Sequence, residues 1–318
     1  MRVGIYGYGN LGRAAEIMCM DLDDVELVGI FTRREPDTVR SVYSHVYSEK
    51  QIEKFEGKID CLLVCTGSAT SASLDTPRLA ELFCVVDSYD CHKLIEEHKA
   101  RVGIRAERGG KVAVISAGWD PGLLSLVRLY ASSFMPYASV NTFWGTGVSQ
   151  GHSEAIRSID GVKDAIQYTV PKDDALTLSR TCKRYYTNTE KHKRVCYIVA
   201  EEGKEAEIER KVKAIPEYFL GYDTEVHFLR DEDFLEHKHK RNHKGRVIVY
   251  GDTGLYHENT ALLELELTLA SNPEFTAGIM LSTARAACKM KTAGYRGAFT
   301  LFDIPPIFFL EKGGSELL

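Results

Sequence analysis

The sequence has no apolar run of about 18 residues, the length a helix needs to cross a membrane, so no transmembrane span is expected. It has no Cys-x-x-Cys pair. Its eight cysteines lie singly, with Cys61, Cys65 and Cys84 inside apolar stretches. That spacing argues against a zinc site or a disulfide framework and for reduced, buried thiols in a cytoplasmic protein. A core strand is expected from residue 2, and no signal peptide precedes it. Positive charge is not in excess: Lys and Arg number 40 against 45 Asp and Glu, a net charge of −5, so no nucleic-acid footprint is present. Internal repeats and low-complexity linkers are also missing. Tryptophan is scarce, with only Trp119 and Trp144. Each sits among glycines and polar groups, in Gly118-Trp119-Asp120-Pro121-Gly122 and in Phe143-Trp144-Gly145-Thr146-Gly147-Val148-Ser149-Gln150-Gly151-His152-Ser153. Gly lets backbone approach a ligand, and aromatic rings beside a carboxylate suit a pocket wall. Two buried Trp residues in tight turns is the alternative.

What is present is a chain of 318 residues, 44% hydrophobic, enough for about two domains with sizeable cores. The N-terminus reads as a short buried strand, Arg2-Val3-Gly4-Ile5-Tyr6, followed by Gly7-Tyr8-Gly9-Asn10-Leu11-Gly12. Helical spacing of Leu11, Ala14, Ala15 and Met18 comes next. Strand, Gly-x-Gly-x-x-Gly and helix in that order form a dinucleotide fingerprint. Gly7 allows the tight turn, Gly9 lets the pyrophosphate approach the backbone, and Gly12 lets the helix pack on the strand. The helix N-terminus then offers N–H donors to phosphate. The second strand, Val25 to Phe31, ends in Thr32-Arg33-Arg34 rather than in a carboxylate. Two guanidinium groups and a hydroxyl suit a 2′-phosphate, so the expected cofactor is NADP.

Three further strands end in polar residues. Cys61 to Cys65 leads into Thr66-Gly67-Ser68-Ala69-Thr70, and Val85-Val86 into Asp87-Ser88-Tyr89-Asp90. Lys111 to Ser116 leads into Gly118-Trp119-Asp120. Residues at the carboxyl ends of parallel strands face the cofactor in a doubly wound sheet. Cys65 to Thr70 and Asp87 to Tyr89 are therefore expected at the cofactor, with Asp90 and Asp120 converging near its nicotinamide. The expected fold class is α/β, a Rossmann-type doubly wound parallel sheet with a second α+β substrate-binding and dimerisation domain. The first domain takes residues 1–118 plus about 272–318, the second 119–271. Strand-like segments in the second begin near Ser139, Arg194, Asp223, Gly245 and Leu262, and Glu201 to Ala214 reads as a helix. A long helix is expected from Asn272 to about Thr292. The segment Glu236 to Lys244 holds His237, His239 and His243, but its lysines oppose a divalent cation and no matched carboxylate or thiolate spacing accompanies it. No metal is expected there; a solvated loop is, with one histidine available for a substrate carboxylate.

Together these segments resemble the meso-diaminopimelate D-dehydrogenase family over nearly the whole chain. Besides the motifs above, the resemblance includes Gly161-Val162-Lys163-Asp164-Ala165, Gln167-Tyr168-Thr169, Gly251-Asp252-Thr253-Gly254 and Ser271-Asn272-Pro273-Glu274-Phe275-Thr276. The resemblance implies a homodimer that oxidatively deaminates the D-centre of meso-2,6-diaminopimelate with NADP. The products are L-2-amino-6-oxopimelate, ammonia and NADPH. It also implies that Asp90, Trp119 and Asp120 hold the D-centre, with Gln150 and Gly151 nearby. Thr169, Arg194, a histidine and Asn259 are implied at the distal L-centre. The family's Pro-His-Gly-Gly is here Asn242-His243-Lys244-Gly245, so the histidine is His243, with His239 close by. Residues Ser179 to Glu190 are shorter and more basic than the family's segment.

Loss of hydride from the substrate α-carbon requires a neutral amine, and Asp90 and Asp120 are suited to hold the ammonium and take its proton. Either could instead be a helix cap after a strand. Arg194 suits a distal carboxylate clamp; its alternative is a solvated strand-edge Arg. Two other readings share the architecture. One is a dihydrodipicolinate-reductase-like or aspartate-semialdehyde-type NADP enzyme. The latter requires a nucleophilic cysteine, for which Cys91 and Cys182 lack a supporting motif. The other is a non-enzymatic NADP-sensing dimer, which would not need Trp119-Asp120 and Trp144 around a second pocket.

Overall fold

A computed structural model describes residues 1–68, 71–216, 218–238 and 242–318. The chain divides into two compact units, Met1–Leu126 with Pro273–Leu318, and Val127–Asn272. The first boundary thus falls at Leu126, eight residues beyond the expected 118. Trp119 and Asp120 belong to the first unit, because their turn is closed by backbone bonds to it. Leu123 and Leu124 donate to the carbonyls of Gly118 and Trp119.

The first unit begins β1 (Arg2–Tyr6), α1 (Asn10–Met20), β2 (Glu26–Thr32), β3 (Val46–Ser48), β4 (Cys61–Val64), α2 (Ala72–Ala80), β5 (Cys84–Asp87), α3 (Ile95–Arg108) and β6 (Val112–Val114). Between the units in sequence lies α4 (Leu123–Phe134). The second unit continues with β7 (Ala138–Trp144), β8 (Gly147–Val148), α5 (Gln150–Arg157), β9 (Val162–Pro171), α6 (Asp173–Ser179), α7 (Asn188–Lys191), β10 (His192–Ala200), α8 (Glu205–Ala214), β11 (Asp223–Phe228), α9 (Asp231–Lys238), β12 (His243–Thr253) and β13 (Asn259–Leu269). The chain returns to the first unit through α10 (Asn272–Thr292) and β14 (Gly297–Phe299).

In the first unit seven parallel strands run in the order β14-β6-β5-β4-β1-β2-β3. β1, β4 and β5 are almost wholly apolar and buried, as strands covered on both faces must be. One face packs on α1 and α10 through Ala14, Ala15, Met280, Ala284 and Ala287. The other packs on α2 and α3 through Leu79, Val102 and Ala106. The order reverses direction between β1 and β4, the switch point where such sheets open a crevice at the carboxyl ends.

The second unit holds a four-stranded sheet, β11-β10-β9-β8, and a three-stranded antiparallel sheet, β13-β12-β7. β9 is the central strand that the sequence reading did not mark as one. Its register places Thr169 opposite Arg194 on β10 and opposite Gly147 on β8. The helix expected from Glu201 starts at Glu205, after a turn at Gly203 with φ +82°. The segment expected as a solvated loop carries regular structure at both ends, since Asp231–Lys238 is helical and His243 opens β12. Among the described residues no helix is long and apolar enough to cross a membrane.

Candidate active site

A cavity of about 330 Å³ lies at the switch point, lined by Gly7, Tyr8, Gly9, Thr32, Arg33, Arg34, Cys65, Thr66 and Gly67 among others. The fingerprint glycines are needed there. Gly7 has φ +95°, and a Cβ on Gly12 would fall 2.2 Å from the Gly7 carbonyl oxygen. Gly9 is the N-cap of α1 and no side chain caps that turn, so its first donors point where an anion can use them. The Thr66 hydroxyl is buried and has no hydrogen-bond partner among the described residues, a polar atom on this wall. Arg33 is half exposed with Asp75 3.8 Å away, while Arg34 donates to the Tyr8 carbonyl and through its backbone N–H to the Thr32 hydroxyl. Uncapped helix, orphaned hydroxyl and paired guanidiniums fit a dinucleotide bearing a 2′-phosphate.

Other residues expected at the cofactor are placed differently. Asn10 and Leu11 start α1, and Leu11 packs toward the core. Ser88 is partly buried. Asp87 and Tyr89 correct the expectation that this strand end faces the ligand. The Asp87 side chain is fully buried and saturated by internal bonds, and the Tyr89 ring stacks inward on His98. Ala69 and Thr70 lie outside the described residues.

One strand beyond β4, Asp90 follows β5; its carboxylate accepts a 2.9 Å bond from Ser68 and is exposed. It caps no helix: the following turn is capped by Cys91 and α3 by Leu94, neither through a side-chain bond. Asp120 follows β6, the neighbouring strand. Backbone carbonyls of Gly118 and Trp119 meet the first donors of α4, which is the capping role considered for Asp120. Gly122, at φ +134°, closes this turn so tightly that a Cβ would sit 1.7 Å from the Gly118 oxygen.

In the second unit Arg194 is only 6% exposed, not a solvated edge residue. Its Nη1 donates to the Thr169 hydroxyl, its Nε to the Tyr218 carbonyl at 3.2 Å, and its guanidinium carbon lies 4.0 Å from the Tyr222 ring centroid. Among the described residues no carboxylate pairs with it. Burial lowers its pKa from the ordinary value, partly offset by Tyr222. His152, which the sequence reading passed over, packs against Tyr218 and Phe219. Burial, then the charge of Arg194, pushes its pKa down to about 3, so it stays neutral. His243 is brought to the same place: a Cβ on Gly147 would lie 3.1 Å from the His243 Cα, and Gly147 pairs with Thr169. His152, Tyr218, Tyr222 and Gln167 were all missed. The motifs Gly151-His152-Ser153 and Gln167-Tyr168-Thr169 contained two of them, His152 and Gln167, the latter 3.5 Å from the Thr169 hydroxyl.

Two expected substrate residues are corrected. Asn259 pairs with Thr253 and His243 with Leu269, at opposite ends of an eleven-residue ladder. At roughly 3.3 Å per residue that separates them by about 33 Å, so Asn259 cannot join His243. The asparagine at the His243 end is Asn272, just past Leu269. Phe143 is 1% exposed and packs on Ala175 and Ile248. Its ring and that of Trp144 both lie against His192 and Lys191, but Phe143 is closed off from solvent, so it backs this cluster rather than forming a pocket wall. Trp144 stacks on His192, whose Nε2 accepts from the Trp144 backbone. Burial lowers the His192 pKa to about 3. Gly151 lies exposed on α5 with nothing within 4 Å of its Cβ position. The Gln150 side chain and His239 are outside the described residues, and among those described no cluster could hold a metal.

A family model described as the diaminopimelic acid dehydrogenase C-terminal domain matches residues 118–271. The meso-diaminopimelate D-dehydrogenase of Acetivibrio thermocellus is 44% identical, covering 100% of this chain and 96% of its own. The structure of Corynebacterium glutamicum diaminopimelate dehydrogenase in complex with diaminopimelate superposes with a TM-score of 0.92 at 39% identity, covering 100% of this chain and 98% of that one. An engineered D-amino acid dehydrogenase bound to NADP+ gives a TM-score of 0.87 at 37% identity, with coverage of 100% and 98%.

Proposed function

The chain belongs to the meso-diaminopimelate D-dehydrogenase family, and we propose that its own residues perform the NADP-dependent oxidative deamination of the D-centre of meso-2,6-diaminopimelate. The observation that carries this reading is Arg194, a buried cation with no carboxylate partner among the described residues. A buried charge without a counter-charge is costly unless a ligand supplies it. The L-centre carboxylate is such a ligand, with the Thr169 hydroxyl and His243 beside it. At the D-centre, Asp90 and Asp120 hold the ammonium and one of them receives its proton, leaving the lone pair that the reaction needs. Gly7, Gly9, Arg33, Arg34 and Thr66 would hold NADP in the β1–β4 crevice, where its nicotinamide would supply the hydride acceptor. Water then adds to the substrate imine, releasing ammonia and L-2-amino-6-oxopimelate. Binding energy at the distal end supports the chemistry at the near end.

A homodimer fits the surface of the second unit. Phe134 is 77% and Tyr256 82% exposed, and Tyr130, Tyr137, Leu255 and Leu262 are exposed as well. Apolar exposure on this scale suits a second copy of the chain. The eight cysteines are unpaired, which suits the cytoplasm.

The decisive assay is NADP reduction on adding meso-diaminopimelate. Reduction with the meso isomer and none with the LL isomer is expected. Equal rates with both, or none with either, would overturn the reading.

A further inference from the structure

Asp87 and His98 meet in the interior of the first unit, their side chains 0% and 2% exposed, with His98 Nε2 2.7 Å from Asp87 Oδ2. Asp87 Oδ1 accepts the backbone N–H of Tyr89 at 3.1 Å and of Ser116 at 2.8 Å. Its backbone carbonyl accepts the N–H of Ala117 at 2.8 Å. One residue therefore ties together the chain leaving β5 and the chain leaving β6. The first reaches Asp90 one residue after Tyr89, and the second reaches Trp119 and Asp120 within four residues of Ser116. Ser116 is held at φ +57°, a left-handed conformation that residues with side chains avoid unless their surroundings impose it. The His98 ring also stacks on Tyr89, centroids 4.2 Å apart and planes at 27°. His98 Nδ1 is buried without a partner among the described residues, so the ring's polar contact is the one to Asp87.

We propose that His98 is a positioning residue for the reaction: by fixing Asp87, it holds in register the two segments that carry Asp90 and Trp119-Asp120. The proposal rests on the function proposed above. A buried carboxylate is costly without partners, and these partners are the two loop exits and one imidazole. A carboxylate serving only the core would have no reason to collect both exits. Neither residue lines the cofactor cavity, so the effect must pass through the backbone they hold.

His98→Phe keeps the ring on Tyr89 and removes the donor to Asp87. His98→Gln keeps a donor and removes the ring. The expected result for the phenylalanine variant is a fall in kcat of tenfold or more, with NADP affinity by fluorescence titration within twofold of the parent. The glutamine variant is expected to recover kcat to within threefold. A folded phenylalanine variant with kcat within twofold of the parent would overturn the proposal. So would kcat and NADP affinity falling together without rescue by glutamine. If the phenylalanine variant does not fold, the glutamine variant alone decides: a folded protein that has lost tenfold in kcat refutes the role of the donor. Acrylamide quenching of Trp119 in a Trp144→Phe background needs no turnover and should increase in His98→Phe. If the parent does not oxidise meso-diaminopimelate yet Trp119 responds in this way, the proposed reaction fails and the positioning contact stands. Unchanged quenching refutes the positioning contact itself.

Discussion

Arg194 on β10 and Thr169 on β9 are directly opposite across an antiparallel ladder, and the guanidinium donates to the threonine hydroxyl from a site almost closed to solvent. Two strands thus hold in register the guanidinium and hydroxyl proposed to receive the distal carboxylate. Replacing Arg194 with Met and Thr169 with Ile removes the charge and the hydroxyl while roughly keeping volume. The kcat/KM for meso-diaminopimelate should fall by about 10- to 100-fold, the scale of 1.5–3 kcal/mol for a charged hydrogen bond. The ratio of kcat/KM for D-amino acids with apolar side chains to that for meso-diaminopimelate should rise. An unchanged ratio, with both activities reduced together, would make the pair structural.

Arg33 and Arg34 are the residues proposed to supply the cofactor preference. Changing both to Ala should weaken NADP by about tenfold or more per lost charged contact, while NAD, lacking the 2′-phosphate, should change little. Titration of the two cofactors by fluorescence or calorimetry measures the ratio. Equal losses would assign the arginines to the turn itself, through the bond from Arg34 to the Tyr8 carbonyl.

The parts that were legible in the sequence are those fixed by local geometry. The fingerprint around Gly7, Gly9 and Gly12 is local, since each glycine answers to a neighbour a few residues away or to the helix it starts. The parallel strands read as apolar runs because both faces are covered. β9 was hidden because Gln167 and Thr169 are buried despite being polar, so its pattern does not alternate cleanly. A solvated edge residue stayed open as the alternative for Arg194 because burial of a charge is set by partners distant in sequence. Asp87 and Tyr89 were expected outward because strand ends usually face the ligand. Instead, Asp87 serves the backbone of its neighbour strand. Asn259 was placed at the distal end by the resemblance, whereas the ladder register puts it at the opposite end of the strand pair from His243.

Glu16 links the fingerprint helix to the segment after the arginines. It is fully buried, yet its carboxylate accepts the backbone N–H groups of Val42, Tyr43 and Ser44 and the hydroxyl of Tyr8. Burial raises its pKa, but these bonds together outweigh it and the net shift is below the ordinary 4.5. A lowered folded-state pKa means stability that is present above the unfolded value and lost as pH falls through the folded one. Glu16→Gln should therefore lose about 2 kcal/mol or more near neutral pH, and the gap to the parent should narrow as pH drops below about 4.5. Urea midpoints at pH 7 and pH 4 test this. A gap that does not depend on pH would mean the charge is not what the segment binds.

Asp120 and Asp90 stand at the ends of adjacent strands but in different surroundings. Asp90 is exposed and already accepts a bond from Ser68, whereas Asp120 is partly buried in the turn between Gly118 and Gly122. The backbone of Gly118 and Trp119, rather than a carboxylate, meets the first donors of α4. Those first two donors are thus met without the Asp120 carboxylate. Asp120→Asn should leave the fold and NADP affinity intact, because the turn is closed by main-chain bonds. An amide still accepts a hydrogen bond from the ammonium but cannot take its proton, so kcat should fall by about 100-fold or more, within the range general-base catalysis contributes. Asp90→Asn should raise KM more than it lowers kcat if Asp90 only holds the ammonium. If the two variants exchange these behaviours, Asp90 is the base and Asp120 the holder. Near-normal turnover in Asp120→Asn would remove it from the chemistry altogether.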